Sequence, residues 1–292
     1  MDNPHLFKDK VVLDIGAGTG ILSMFAAKAG AARVYAVECS GIADQCSQII
    51  ADNGFSDVIT VLKGKMEEVA LEHEFVDVII SEWMGYMLLY ESMLDTVLWA
   101  RDKYLRPGSG AILPDKAILY ICAIEDRDYR HDKIDFWDNV YGFNFKCIKT
   151  IALAEPLVDN VNQKLIVTNS KSILTLDLLS CTKEDLAYSS NFSLKCLRAD
   201  FIHAFVVYWD CFFTMTHREI KLSTSPFSRG THWKQTVFYL KSSVAAQQDE
   251  EVTGTISCRP NGANVRDLDI FLRYAFQGAL CSVKEEQFYR LR

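Results

Sequence analysis

The 292-residue chain has no apolar run approaching the roughly 20 residues that a membrane helix requires. Its opening, Met1-Asp2-Asn3-Pro4-His5-Leu6, lacks the basic-then-apolar layout of a secretory leader. Nucleus and cytoplasm are the compartments these absences lead us to expect. Its nine cysteines include no Cys-x-x-Cys pair and its six histidines do not cluster, so neither a zinc site nor a disulfide framework is expected. Basic residues are outnumbered 38 to 31 by acidic ones, and a net charge of −7 argues against a general nucleic-acid binder. The same charge is compatible with basic partners. Internal repeats and low-complexity tracts are also missing. What remains, 49% hydrophobic and 24% charged, is the composition of a folded chain with one large or two modest domains.

Up to about residue 115 the patterns alternate between strand and helix. Val11 to Ile15 reads as a buried parallel strand and Ile21 to Ala29 as a helix ended by Gly30. Arg33 to Glu38, Val58 to Leu62 and Val76 to Ile80 read as further strands. Ile42 to Asp52 reads as an amphipathic helix, and Glu91 opens another that runs to about Leu105. Such alternation predicts a parallel sheet with helices on both faces. After Pro114-Asp115 the chain turns β-rich, at 202–214, 236–240, 252–258, 268–276 and 280–289, as in an antiparallel barrel or sandwich. The expected class is therefore α/β, a doubly wound sheet domain (1–114) followed by an antiparallel β domain (115–292). Between them, residues 127–160 carry Phe136, Trp137, Tyr141, Phe143 and Phe145 without a clean period. They form either a cap on the β domain or an arm that buries its aromatics on another subunit.

Asp14-Ile15-Gly16-Ala17-Gly18-Thr19-Gly20 joins the first strand to the first helix, where glycines let the backbone approach a ligand. Ile21 stands where a dinucleotide fingerprint needs its third glycine. Glu38 closes the second strand, a common place for an acid that grips ribose hydroxyls. A nucleoside cofactor without a pyrophosphate fits better than NAD, and S-adenosyl-L-methionine leads; a tight turn serving only packing is the plainer reading. At Lys63-Gly64-Lys65-Met66-Glu67-Glu68, Met66 is placed to pack on an adenine ring and Glu67 to accept from its amino group, unless the segment is simply a solvated charge run. Two more acids, Glu82 and Glu91, stand nine positions apart in Ser81-Glu82-Trp83-Met84-Gly85-Tyr86-Met87-Leu88-Leu89-Tyr90-Glu91-Ser92-Met93. Set among apolar and aromatic residues, with Gly85 as the expected reversal point, they would converge as a receptor for a planar cation with several N–H donors. Guanidinium fits best. Converging acids are also expected to raise each other's pKa. One exposed acid and one helix-capping acid is the alternative. In Thr231-His232-Trp233, His232 is either a proton relay at a pocket rim or an ordinary structural histidine.

These residues together resemble the protein arginine N-methyltransferase family. Val11 to Gly20 is similar to its methyl-donor loop, Ser81 to Met93 to its double-glutamate hairpin (S-E-W-M-G-Y and Y-E-S-M), and Thr231-His232-Trp233 to its T-H-W loop. Asn139-Val140-Tyr141-Gly142-Phe143 resembles the start of the dimerisation arm. The likeness runs from about Leu6 to the C-terminus and is nearest to type I members, which make monomethyl and asymmetric dimethyl arginine. It implies a seven-stranded-type methyltransferase sheet, a β-barrel, and a homodimer closed by the arm at about 127–160. S-adenosyl-L-methionine would be the donor and S-adenosyl-L-homocysteine the product, with histone tails and glycine-arginine-rich proteins as acceptors and no direct binding of nucleic acid or membrane. By the same resemblance, Asp14, Gly16, Gly18, Thr19, Gly20, Glu38, Met66 and Glu67 bind the donor. Glu82 and Glu91 are catalytic, with His232, while Tyr86, Met84, Met93 and Trp233 shape the acceptor site. No metal is implied.

In that family a helical segment precedes the position of Leu6 and carries Y-F-x-x-Y, a donor-binding arginine and an acid that pairs with the T-H-W histidine. Only Met1 to His5 stand there in this sequence, so a truncated sequence or a natural short form is expected, with His232 lacking its partner. One rival reading follows: a lid-less form that dimerises with a complete methyltransferase and regulates it. A second rival, a methyltransferase of nucleic acid or small molecules, is disfavoured because Ser81-Glu82-Trp83-Met84 replaces the usual N/D-P-P-Y-type loop.

Overall fold

The computed structural model describes residues 3–292; Met1 and Asp2, part of the short opening considered above, lie outside the described residues. A single turn, α1 (Pro4–Phe7), leads in, tied down where the His217 N–H donates to Asn3 Oδ1 at 2.8 Å. Strands β1 (Val11–Ile15), β2 (Arg33–Glu38), β3 (Ile59–Lys63), β4 (Val78–Ile80) and β5 (Ala111–Leu113) form a parallel sheet in the order β3-β2-β1-β4-β5.

The period of two along each strand decides what covers each face. Val12, Val34, Ala36, Val78 and Ile80 pack with Ala26 of α2 (Ile21–Lys28) and with Cys46 and Ile50 of α3 (Ala43–Asp52). Leu13, Ile15, Tyr35, Val37 and Ile79 belong to the opposite core with Leu94, Val97 and Leu98 of α4 (Met93–Tyr104). The sheet is thus doubly wound, as the alternation predicts. Its order reverses between β1 and β4, and in such sheets ligands bind beyond the carboxyl ends of the strands at that point.

Ten strands follow: β6 (Lys116–Ile124), β7 (Leu157–Asp159), β8 (Lys171–Asp177), β9 (Tyr188–Lys195), β10 (Asp200–Phe213), β11 (Ile220–Ser223), β12 (Gln235–Ala246), β13 (Glu251–Pro260), β14 (Leu268–Gln277) and β15 (Ser282–Leu291). They make two antiparallel sheets, β7-β12-β10-β6-β8 with β11 on β10, and β15-β14-β13-β9. β8 lies against β9 and β12 against β15, which curls the sheets around Phe192, Phe205, Phe238, Tyr274 and Tyr289. The larger apolar core is continuous from the α4 face of the parallel sheet into this barrel.

The stretch after β6 is irregular, as its lack of period suggests: α5 (Arg127–Tyr129), a π turn at Arg130–Ile134, a 3-10 turn at Asp135–Asp138 and α6 (Lys146–Ala154). Its base is anchored. Arg130 is buried and donates to the carbonyls of Leu240 and Lys241 at 2.6 and 2.7 Å. Its tip is not a cap on the barrel, because Tyr141 is 91% and Phe143 69% exposed. No described helix is long and apolar enough to cross a membrane.

Candidate active site

The segment after β4 runs into the core and back out. Trp83, Met84, Met87, Leu88 and Leu89 are buried, which leaves Glu82, Tyr86 and Glu91 as its accessible side chains. Its reversal is not made by Gly85. Met87 (φ 50°) and Leu88 (φ 68°) turn the chain, and Gly85 and Leu88 exchange N–H···O bonds of 2.9 and 3.0 Å. Gly85 is required for a different reason, since a Cβ there would lie 2.1 Å from the Tyr90 carbonyl oxygen. Glu91 does not open a helix either. It and Ser92 adopt left-handed backbone (φ 77° and 57°), and α4 starts at Met93. Tertiary contacts override the local preference. The Glu91 N–H donates to the Arg266 carbonyl at 2.9 Å, and the Ser92 hydroxyl donates to the Val265 carbonyl instead of capping α4.

Two barrel indoles grip the same segment: Trp233 Nε1 donates to the Met84 carbonyl at 2.8 Å and Trp209 Nε1 to that of Gly85 at 3.3 Å. From the sheet side, Ser81 Oγ donates to the Ile15 carbonyl at 2.8 Å. Both acids are thereby brought to one cavity of about 750 Å³, lined also by Gly16, Glu38, Met66, Glu67, Met84 and Met93. Loss of water around Glu82, and secondarily repulsion from Glu91, raise the Glu82 carboxyl to about 7. Glu91 is ion-paired instead, its Oε1 2.7 Å from Arg266 Nη2.

The other end of the cavity is built by the glycine loop and the ends of β2 and β3. Glu38 accepts from the N–H groups of Gly18 (2.9 Å) and Ser40 (2.8 Å). Burial opposes ionisation of Glu38, but the Ser40 and Gly18 N–H groups outweigh it and hold the carboxyl below its usual value. Gly16 (φ 74°) leaves room that a Cβ could not share with Met93, whose Cε would be 2.7 Å away. Asp14 is buried; its Oδ2 accepts from Ser23 Oγ at 2.6 Å while Oδ1 has no hydrogen-bond partner. Burial, the largest cause, lifts its pKa to about 6 against the opposing Ser23 hydrogen bonds. Asp14 does not itself line the cavity; its unpaired oxygen lies buried behind the glycine loop, a cost that stability alone does not explain.

The remaining expected residues are placed as follows. Gly18 touches the cavity through Glu38, and Gly20 caps α2 in left-handed backbone against Cys46 and Ile50. Thr19 is exposed outside the cavity wall. Glu67 lines the cavity, with its Oε1 accepting from Thr96 Oγ1 at 2.9 Å. Tyr86 stacks on Tyr90 at 6.1 Å. His232 is exposed, its ring 3.8 Å from that of Trp233 and tilted 34° to it, and does not line the cavity. Trp233 instead walls a neighbouring apolar cleft with Phe7, Phe25, Leu113 and Phe213, and that cleft shares Glu82 and Met84 with the acid-lined cavity. Sequence reasoning missed Arg266 and Thr96. Arg266 lies 175 positions from Glu91 in a polar turn, and nothing in the local pattern links the two. Among the described residues no group of His, Cys, Asp and Glu is arranged to hold a metal.

A cavity beyond the carboxyl ends of a doubly wound sheet, lined by acids and running to a pair of them steadied by a barrel, points to an enzyme that handles a cationic substrate. Known proteins agree. The description "Methyltransferase domain" matches residues 12–108, and "Arginine methyltransferase oligomerization subdomain" matches residues 115–279. Protein arginine N-methyltransferase 1 of Chlamydomonas reinhardtii is 54% identical over 292 residues, which span 100% of this chain and 84% of that protein. Protein arginine N-methyltransferase 1.1 of Arabidopsis thaliana is 55% identical over 290 residues, 99% of this chain and 74% of that one. The solved Trypanosoma brucei PRMT1 enzyme-prozyme heterotetrameric complex with AdoHcy superposes with a TM-score of 0.96 at 48% identity, over 99% of this chain and 91% of that one. Arabidopsis thaliana protein arginine methyltransferase 10 gives 0.89 at 26% identity, over 100% and 92%. The chain belongs to the protein arginine N-methyltransferase family and is a protein arginine N-methyltransferase enzyme.

Proposed function

We propose that this chain transfers methyl groups to the guanidino nitrogens of arginine in histone tails and glycine-arginine-rich proteins, giving monomethyl and asymmetric dimethyl arginine. The observation that carries the reading is the meeting of Glu82 and Glu91 in one cavity with Glu38 and Met66. S-adenosyl-L-methionine is the donor, and when bound it supplies an electrophilic sulfonium methyl and leaves as S-adenosyl-L-homocysteine. Glu38 would hold the ribose, Met66 and Glu67 the adenine, and the glycine loop the charged end, with the Asp14 carboxyl buried behind it.

Guanidinium has delocalised lone pairs and a pKa above about 12, so it is a weak nucleophile that needs alignment more than deprotonation. Hydrogen bonds to Glu82 and Glu91 fix its plane and draw positive charge towards the nitrogens they contact. Orientation of this kind is worth roughly 7–11 kcal/mol of the barrier. Met84 and Met93 bound the space left for the reacting nitrogen, and Tyr86 lies on the same hairpin. An ionised Glu82 or Glu91 can accept the proton that leaves with methyl transfer. His232 stands outside the cavity and, in this reading, serves the rim through Trp233.

The exposed arm aromatics and the match to an oligomerisation subdomain support a homodimer closed through residues 127–160. Ile21 (48% exposed) and Phe25 (59%) offer an apolar face on the sheet domain for the partner's arm. We place the domain boundary at Pro114/Asp115 and the protein in nucleus and cytoplasm. The regulatory-partner reading is less favoured, since a scaffold has no use for two acids held at a cost in one cavity.

Glu91→Gln tests the assignment. Transfer of labelled methyl to a glycine-arginine-rich peptide should vanish, while calorimetry should give donor affinity within about twofold of wild type; retained turnover refutes the role of the hairpin. Mass spectrometry of the wild-type product distinguishes asymmetric dimethyl arginine from other products.

A further inference from the structure

We propose that Arg266 is a positioning residue of the acceptor site. The β13–β14 turn reaches across from the barrel and holds Glu91 by one carboxylate oxygen, so that the other faces the substrate guanidinium. The inference rests on the arginine-methylation reading above and extends it to a residue outside the hairpin.

Three contacts join the two segments. Arg266 Nη2 pairs with Glu91 Oε1 at 2.7 Å, the Glu91 N–H donates to the Arg266 carbonyl at 2.9 Å, and the Ser92 hydroxyl donates to the Val265 carbonyl. The backbone they hold is left-handed at both Glu91 and Ser92, a conformation that persists only where surroundings enforce it. The turn that does the enforcing is itself rigid. Buried Asn261 accepts at Oδ1 from the N–H groups of Ala263 and Asn264 (2.9 and 3.0 Å) and donates through Nδ2 to both oxygens of Asp269 (3.0 and 3.1 Å). Asn264 Nδ2 donates to Asp267 Oδ1 at 2.8 Å.

Arg266 also lines the cavity, which it shares with Glu82, Glu38, Glu67, Glu68 and Lys65. It brings positive charge to a predominantly acidic wall. An internal substrate mimic blocking the site would engage both acids. Arg266 takes one oxygen of Glu91 and none of Glu82, and among the described residues Glu91 Oε2 has no protein donor. A guanidinium entering the cavity therefore finds Glu82 and Glu91 Oε2 available without displacing Arg266.

Arg266→Ala and Arg266→Lys test this in the full chain, with a glycine-arginine-rich peptide as acceptor. For Arg266→Ala, kcat/KM should fall about 10- to 100-fold, the cost of a misplaced catalytic group. Donor affinity should stay within about twofold. Arg266→Lys should recover part of the loss. An unchanged or increased kcat/KM in Arg266→Ala overturns the proposal. So does a loss shared by donor affinity and not recovered in Arg266→Lys, which marks a merely structural contact. If wild type transfers no methyl at all, the functional reading fails, and the contact is decided separately by NMR of the Arg266 guanidinium in the free protein. Glu91→Gln should change those signals, and unaltered signals overturn the proposal.

Discussion

The Glu82 carboxyl, raised to about 7, makes the acceptor site sensitive to pH near neutrality. A cation is bound by the ionised acid, so kcat/KM for the peptide should follow the ionised fraction of Glu82 in the free enzyme. A group at about 7 is about nine-tenths ionised at pH 8 and about one-tenth at pH 6, so kcat/KM should drop close to tenfold between these values and tenfold per unit below. The bound guanidinium favours the charged form, so the acid limb of kcat should lie at lower pH than that of kcat/KM. Burial is the larger cause of the shift and Glu91 the smaller, which the carbon-13 titration of the Glu82 carboxyl can separate. In Glu91→Gln its midpoint should fall but stay above 4.5, because desolvation persists. A kcat/KM that is flat from pH 8 to pH 5.5, or a Glu82 midpoint near 4.5 in wild type, refutes the electrostatic picture of the site.

Asp14 carries a related cost in stability. Its folded pKa of about 6 lies above the unfolded 3.8, so the folded state binds the extra proton and stability is lost as pH rises through that window. Asp14→Asn should therefore be more stable than wild type by up to ~3 kcal/mol at pH 8, a gain that shrinks towards pH 4 in urea titrations. It should also weaken donor binding, and a destabilised variant at pH 8 would contradict the assignment. For the arm, the double variant Tyr141→Ala, Phe143→Ala alters side chains that touch little within one chain, so it should fold normally yet sediment as a monomer. An unchanged dimer removes the arm from self-association.

The sheet domain was legible because its strands are short apolar runs bounded by glycine and charge, alternating with helical stretches of which α3 has a clear apolar face. Of the barrel strands, β10, β12, β13, β14 and β15 were legible and β6 and β9 were not, although β6 lies between two neighbours, β10 and β8. β6 (Lys-Ala-Ile-Leu-Tyr-Ile-Cys-Ala-Ile) is almost wholly apolar and shows no alternation to identify it. β9 (Tyr-Ser-Ser-Asn-Phe-Ser-Leu-Lys) turns a serine-rich face to solvent and reads as a turn, with Phe192 and Leu194 its fully buried residues. In the site, residue types pointed to the hairpin acids and the glycine loop, and the structure gathers Glu82, Glu91, Glu38 and Met66 in one cavity. Local pattern failed at the turn itself. Gly85 and the Glu91-Ser92 pair look like a reversal and a helix start, yet the first serves close backbone approach and the second is bent by the barrel. Arg266 was invisible for the same reason, since long-range contact leaves no trace in spacing.

Several departures from local stability lie in or beside the acid-lined cavity. Met87, Leu88, Glu91 and Ser92 hold left-handed backbone in a single segment, each at a cost of about 1–3 kcal/mol. Asp14 Oδ1 and Trp83 Nε1 are buried without partners nearby in the chain, and Glu82 has a carboxyl pushed towards neutrality. A chain optimised for folding alone would relax each of these, so their clustering around one cavity has its explanation in a ligand. The cavity wall itself is predominantly acidic, with Glu38, Glu67, Glu82 and Glu91, which suits ligands that carry positive charge. The restraint that keeps the strained segment in place comes from the far half of the chain, through Trp209, Trp233, Val265 and Arg266. The donor end of the cavity is built by the sheet domain, whereas the acceptor end exists only while the barrel holds it. That dependence gives a physical reason for the two halves to share one continuous core: a barrel free to shift would let Glu91 relax into the helix that its sequence otherwise favours.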